Sequence, residues 1–152
     1  MITIYGDPIS GNCLKVKWTC ERLAIPFTWI DVNVVKRETR TAAFLAMNPA
    51  GQVPTIVFEN GQTLAQSNAI IRYLARDSDL VPNDAFAAAQ MDAWLFWEQY
   101  SHETAIAVAR YQMVFLGHKR DQLEPRLIQR GWGALEKLEL GLKSTPYLVG
   151  AR

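Results

Sequence analysis

The chain has 152 residues, 49% of them apolar and 20% charged, and 16 Lys and Arg against 15 Asp and Glu leave a formal net charge of +1. That balance fits a soluble globular chain with a real core. Basic residues form no stripe and do not alternate with aromatic ones, so a nucleic-acid groove is not indicated, and no apolar run of about eighteen residues could span a membrane. Met1 leads straight into a strand without a signal peptide, which makes a cytoplasmic location the expectation.

Residues 2–5 read as a short strand, Gly6-Asp7-Pro8 as a turn, and 13–24 as a helix with Val16, Cys20, Leu23 and Ala24 along one face. Between turn and helix lies Ser10-Gly11-Asn12-Cys13. A C-x-x-C here would read as a thioredoxin-like redox pair, but serine stands in the first position and cannot form the disulfide. What remains is a hydroxyl at a helix N-terminus, where the dipole and free N–H groups favour negative charge, and such a place suits a bound thiolate. Residues 27–35 alternate poorly as a strand. Pro54 precedes the apolar run 55–58 and marks a strand entrance, since proline is tolerated only at a strand's first residue or on an edge. Were the Val53-Pro54 bond cis, the Val53 backbone would turn outward and could pair with an extended peptide. Asn60-Gly61 predicts a hairpin between antiparallel strands at about 55–58 and 62–65, hence a mixed sheet. Ser67 precedes the helical pattern 69–74 and reads as its N-cap, with an anion-binding set of N–H groups beside it; the plainer reading of Gln66-Ser67 is a cap alone.

The apolar periodicity breaks over 77–84 and resumes as helix. Residues 85–118 read as one long helix, bent near Ser101 or broken near Thr104, and Pro125 opens another; the two are expected to be antiparallel. Trp94, Trp97 and Trp132 could shape an apolar pocket, although such spacing is commoner in a core. Cys13 and Cys20 lie about two turns, or about 10 Å, apart on one helix, too far for a disulfide. His102 and His118 have no Cys or second His at helical ligand spacing, so no metal is expected.

The pieces ISGNCLKV, NPAGQVPTIV and QSNAIIRYLA together resemble the glutathione-binding, thioredoxin-like domain of cytosolic glutathione transferases, specifically the serine-type, bacterial-like members. The resemblance implies an α/β thioredoxin-like N-terminal domain over 1–76, in βαβαββα order with a mixed four-stranded sheet. Strands would lie near 2–5, 28–32, 55–58 and 62–65, and helices near 12–24, 41–47 and 67–76. A linker at 77–84 and an all-α domain at 85–152 complete the expectation. Family members usually continue past residue 150 into a further buried helix, so the helical domain is expected to be incomplete, with homodimerisation covering part of its apolar surface.

For function, the resemblance implies a transferase that takes glutathione as co-substrate and joins its thiol to a small apolar electrophile. Ser10 would donate a hydrogen bond to the glutathione sulfur, with Asn12 as an accessory donor. Cys13 could instead form a mixed disulfide, although a structural role in the helix also fits, and Tyr5 could supply a hydroxyl, although packing fits it better. Ser67 and Gln66 would hold the γ-glutamyl end, Val53 would exchange backbone hydrogen bonds with the cysteinyl residue beside Pro54, Gln52 would reach the ligand backbone or carboxylate, and Arg40 would pair with the glycyl carboxylate. Lys36 and Arg37 are rivals for that last role. Many members carry Glu where Gln66 stands, and the neutral amide gives the ligand's ammonium a weaker hydrogen bond. Two alternatives stay open: a glutathione-dependent thiol-disulfide or peroxide reductase using Cys13, and a non-catalytic interaction module of the same fold.

Overall fold

Four strands form one mixed sheet in the order β2-β1-β3-β4. They are β1 (Ile2–Gly6), β2 (Phe27–Asp31), β3 (Thr55–Val57) and β4 (Thr63–Ala65); β1 runs parallel to β2 and antiparallel to β3, and β3 is antiparallel to β4. Helices α1 (Gly11–Arg22), α2 (Ala42–Met47) and α3 (Ser67–Ala75) complete this part of the chain. The architecture is thus the thioredoxin-like α/β arrangement followed by a helical region. This is a computed structural model that describes residues 1–150, and it divides into two units, one of Met1–Val81 and one beginning at Pro82.

The first unit is built on a core of Ile2, Ile4, Val16, Cys20, Ile56 and Ile70, with Phe27, Trp29, Phe58, Leu64 and Leu74 packed around it. Alternation explains the selection: in β1, Ile2, Ile4 and Gly6 are buried while Thr3 and Tyr5 are half-buried on the other face. The Asn60-Gly61 turn is present, with Phe58 N–H donating to the Gln62 carbonyl at 2.9 Å and Gly61 at a φ of +80°. The poorly alternating segment forms β2, an edge strand of which only Phe27, Trp29 and their core-facing side are half-buried.

Helix α1 ends two residues before the expected Ala24. Ala24 has a φ of +52° and is exposed; its N–H reaches the Glu21 carbonyl at 3.2 Å, and Ile25 N–H reaches the Cys20 carbonyl at 2.9 Å. That pair of bonds is a Schellman stop, with Ile25 folding back onto the core and Pro26 unable to continue the helix. The position is usually glycine, so periodicity alone extended the helix too far.

The second unit contains α4 (Ala85–Trp97), a π-helical stretch Glu98–Ala107, α5 (Val108–Val114) and α6 (Pro125–Leu142). The expected helix over 85–118 forms as a continuous helical run that stops at Val114, four residues early, before Gly117 at a φ of +71°, and its middle is wound wider instead of being broken at Thr104. The Thr104 hydroxyl bonds back to the Tyr100 carbonyl at 2.6 Å, and Arg130 Nη2 of α6 donates to Thr104 Oγ1 at 2.6 Å. Both contacts hold the widened segment. Leu127, Gly131 and Ala134 form the buried stripe of α6 that faces it. Among the described residues no helix is long and apolar enough to cross a membrane.

Because a left-handed φ costs alanine energy that glycine avoids, Ala24→Gly should raise the unfolding free energy by about 0.5–1 kcal/mol. Urea unfolding followed by circular dichroism measures it; a loss of stability would show that the left-handed stop is not formed.

Candidate functional site

The sheet register decides which loops meet. Gly6 pairs with Asp31, Tyr5 with Thr55, and Thr55 with Ala65, so one end of the sheet collects the exit of β1, the exit of β2, the entrance to β3 and the exit of β4. The segments emerging there are those carrying Ser10 to Cys13, Arg40, Gln52 to Pro54, and Gln66 with Ser67.

Ser10 is the N-cap of α1: its Oγ accepts the Cys13 N–H at 3.4 Å, and its carbonyl accepts Leu14 N–H at 3.0 Å. Accepting through a lone pair leaves the hydroxyl its own proton to donate. Asn12 lies in the first turn, and its Oδ1 accepts the Ser67 hydroxyl at 3.1 Å. This bond joins the starts of α1 and α3. Ser67 is consequently not the N-cap expected from the sequence. Gln66 holds that position with φ +71° and ψ 109°, makes no side-chain cap bond, and offers its carbonyl to Ile70 N–H at 2.9 Å. Ser67 begins the helix with its side chain buried and turned sideways to Asn12. Residue spacing cannot distinguish the two roles, because the Asn12 acceptor comes from a segment fifty-five positions away.

The loop before β3 is shaped by Asn48, a residue that neither motif nor spacing singles out. Its amide donates to the Gln52 carbonyl at 2.8 Å and to Thr55 Oγ1 at 3.0 Å, its Oδ1 accepts Ala50 N–H at 3.1 Å, and the side chain is buried. Thr55, wholly buried, donates to the same Gln52 carbonyl at 3.0 Å. These bonds leave the Gln52 side chain exposed, Val53 half-buried and Pro54 buried, with the Val53-Pro54 peptide cis. Arg40 folds over this loop: its Nη1 donates to the Ala50 carbonyl at 3.3 Å. Gly51, at a φ of +61°, has no room for a Cβ beneath the guanidinium. Among its basic neighbours, Lys36 and Arg37 are exposed in the preceding turn.

Cys13 is a poor candidate for chemistry. Its side chain is wholly buried, and burial pushes the thiol above its ordinary range, while contacts with Ser10 and the Asp7 amide pull the other way and the Asp7 charge adds to the rise. A neutral, inaccessible sulfur is neither a nucleophile nor a partner for a mixed disulfide. Tyr5 meets Phe44 edge to face at 6.4 Å, which is the packing role. Asp7, also missed, is buried and receives Ile9 N–H at 3.2 Å and Val34 N–H at 3.3 Å, pinning the β1 exit to the segment after β2. In the second unit, Trp94 and Trp97 stack edge to face at 5.1 Å, but Trp132 is 57% exposed and so is not core. Among the described residues no group of three or more metal-ligating side chains occurs.

The family model for the N-terminal domain of glutathione S-transferase matches residues 9–77. Glutathione S-transferase 3 of Zea mays is 32% identical over 104 residues, covering 65% of this chain and 46% of that protein. Glutathione S-transferase GstB of Escherichia coli K12 is 37% identical over 101 residues, covering 64% and 49%. The chain thus spans about half the length of these curated relatives. The crystal structure of a glutathione S-transferase from Pseudomonas fluorescens superposes with a TM-score of 0.94 at 42% identity, over 98% of this chain and 75% of that one.

Two measurements follow from this geometry. Asn48→Ala removes three hydrogen bonds in a buried setting and should lower the unfolding free energy by about 2–3 kcal/mol in urea titration; a loss under about 0.5 kcal/mol would mean the loop does not depend on it. For the thiols, burial first and the Glu21 charge second push Cys20 from 9.0 up to about 11. The folded state therefore holds its proton more tightly than the unfolded one, a contribution fully present below pH 9 and lost as pH rises towards 11. Stability measured in that window should fall, and Cys20→Ala should flatten the slope.

Proposed function

The chain belongs to the glutathione S-transferase family, and on that premise we propose that it binds glutathione at this end of the sheet and activates its thiol as a thiolate for attack on a small apolar electrophile. The observation that carries the reading is the Tyr5, Thr55 and Ala65 register, which gathers the helix start at Ser10, the loop at Val53 and the helix start at Gln66 on one end of one sheet. Supporting it is Gln66, whose φ of +71° and ψ of 109° lie outside the left-handed helical region, a strained backbone of the kind that clusters at ligand sites.

In this reading the Ser10 hydroxyl donates to the glutathione sulfur, and together with the N-terminal end of α1 it stabilises the anion. A thiol of ordinary pKa about 8.5 becomes largely ionised at neutral pH only with such help. The thiolate then forms a sulfur–carbon bond to the electrophile as the bond to the leaving group breaks and takes its electron pair away. Holding both reactants together supplies the rest of the acceleration. Asn12 is the accessory donor. Val53 exchanges backbone bonds with the cysteinyl residue beside Pro54, Gln52 meets the ligand backbone, and Arg40 pairs with the glycyl carboxylate. Ser67, the first-turn N–H groups of α3 and Gln66 take the γ-glutamyl end, where the Ser67 hydroxyl exchanges its Asn12 acceptor for the carboxylate. Cys13 has no part in the chemistry, because it is buried and protonated. A homodimer, a cytoplasmic location and a helical domain after a linker at 77–84 belong to the same proposal.

Ser10→Ala should cut conjugation of glutathione to a chloronitrobenzene by about 10²-fold or more, while glutathione affinity in calorimetric titration changes little. The thiolate absorbance of the complex in the ultraviolet should disappear with it. Unchanged turnover would remove Ser10 from the role, and failure of the unaltered chain to be retained on immobilised glutathione would favour a non-catalytic module.

A further inference from the structure

A second bridge lies beside the one between Asn12 and Ser67. Lys15, one turn further along α1 and on the same face as Asn12, donates from Nζ to Asn68 Oδ1 at 3.0 Å, and Asn68 is the residue that follows Ser67 on α3. The contact is partly buried, so water competes with it less than at an open surface. Two bonds between the same pair of helix starts do more than one. Further along, the two helices share the core through Val16, Cys20 and Ile70, and the second bond extends that fixed contact to their first turns.

We infer that Lys15 is a positioning residue for glutathione binding, acting through Asn68 to hold the first turn of α3 in register with the Ser10 end of α1. This rests on the proposed function and deepens it. In that function the Ser67 hydroxyl leaves Asn12 for the ligand carboxylate, so the Asn12 bridge weakens when the site fills. The Lys15 to Asn68 bridge uses no group the ligand takes, and it persists to keep Gln66 and the α3 N–H groups where the γ-glutamyl end needs them. Because misplacement on the scale of about 1 Å is enough to cost large factors in rate in a site of this kind, a bond that keeps the first turn of α3 in place bears on how well the site holds its ligand.

The test is a double-mutant cycle with Lys15→Met, which keeps the apolar stem and removes the donors, and Asn68→Ala, read by calorimetric titration with glutathione and by amide hydrogen exchange of the α3 first turn. Each single change should weaken glutathione binding by about five- to tenfold, the size expected for one hydrogen bond, and the pair together no more than the worse single change. Lys15→Arg, which can still donate, should recover most of the affinity. Amide exchange in the first turn of α3 should quicken in Lys15→Met without any ligand, whereas exchange in β1 and β3 should stay unchanged. Binding by Lys15→Met equal to that of the unaltered chain, losses that simply add, or unchanged exchange in α3 would each overturn the inference. A titration in which the unaltered chain itself shows no binding would overturn the glutathione reading instead, and the exchange result would still decide whether Lys15 orders α3.

Discussion

Everything at the candidate site depends on the hydrogen-bonded register across β2, β1, β3 and β4. Ile4 faces Ile56 and Ile56 faces Leu64, and the first two of these side chains are wholly buried. Since side chains alternate with period two, a slip of one residue would turn these isoleucines to the opposite face and expose them. Burying one such side chain is worth about 1.5–3 kcal/mol, so the apolar core holds the register far more firmly than any single polar contact at the site does. The site inherits its geometry from that core. Ser10, the Gln52 to Pro54 loop and Gln66 stand at one end of the sheet because strands running in opposite directions are locked at known rungs.

What sequence reasoning could see follows from the range of the signals involved. The Asn60-Gly61 hairpin, the strand entrance at Pro54 and the helix after Ser10 are encoded within a few residues of where they act, and each is present. Three features were not legible: two depend on partners distant in the chain, and the third, Asn48, on a burial of its side chain that its local partners do not reveal. Ser67 turns to Asn12 across the helix pair, Asn48 ties a loop together through Gln52 and Thr55, and Asp7 collects amides from two loops. An asparagine or aspartate before a turn reads locally as a turn former, and nothing in its immediate neighbours reveals that its side chain is buried and saturated. The misread end of α1 has another origin: Ala24 obeys the apolar period, yet the stop is made by Pro26 and the core contact of Ile25, which outweigh the cost of a left-handed alanine. The π-helical stretch from Glu98 to Ala107 was legible only as a disturbance near Ser101 and Thr104, because residue spacing does not distinguish a change to i→i+5 bonding from a bend or a break.

Ser10 and Cys13 show how burial assigns chemistry between two residues on the same helix start. Both lie where the α1 dipole favours negative charge, and by intrinsic acidity the thiol is much the easier group to ionise. The fold reverses that order of usefulness. Cys13 points into the interior beside Val16 and Cys20 on the buried face of α1, where desolvation opposes a charge more strongly than the dipole and nearby hydrogen bonds favour it. In the proposed function Ser10, half-buried at the cap, never needs to ionise: it would only donate a hydrogen bond towards an anion that another molecule supplies. A hydroxyl suits that task because it accepts the cap N–H and donates outward at the same time, whereas a thiolate in the same place could accept but not donate. The arrangement therefore favours a protein that stabilises a sulfur anion belonging to its ligand over one that carries a reactive sulfur of its own.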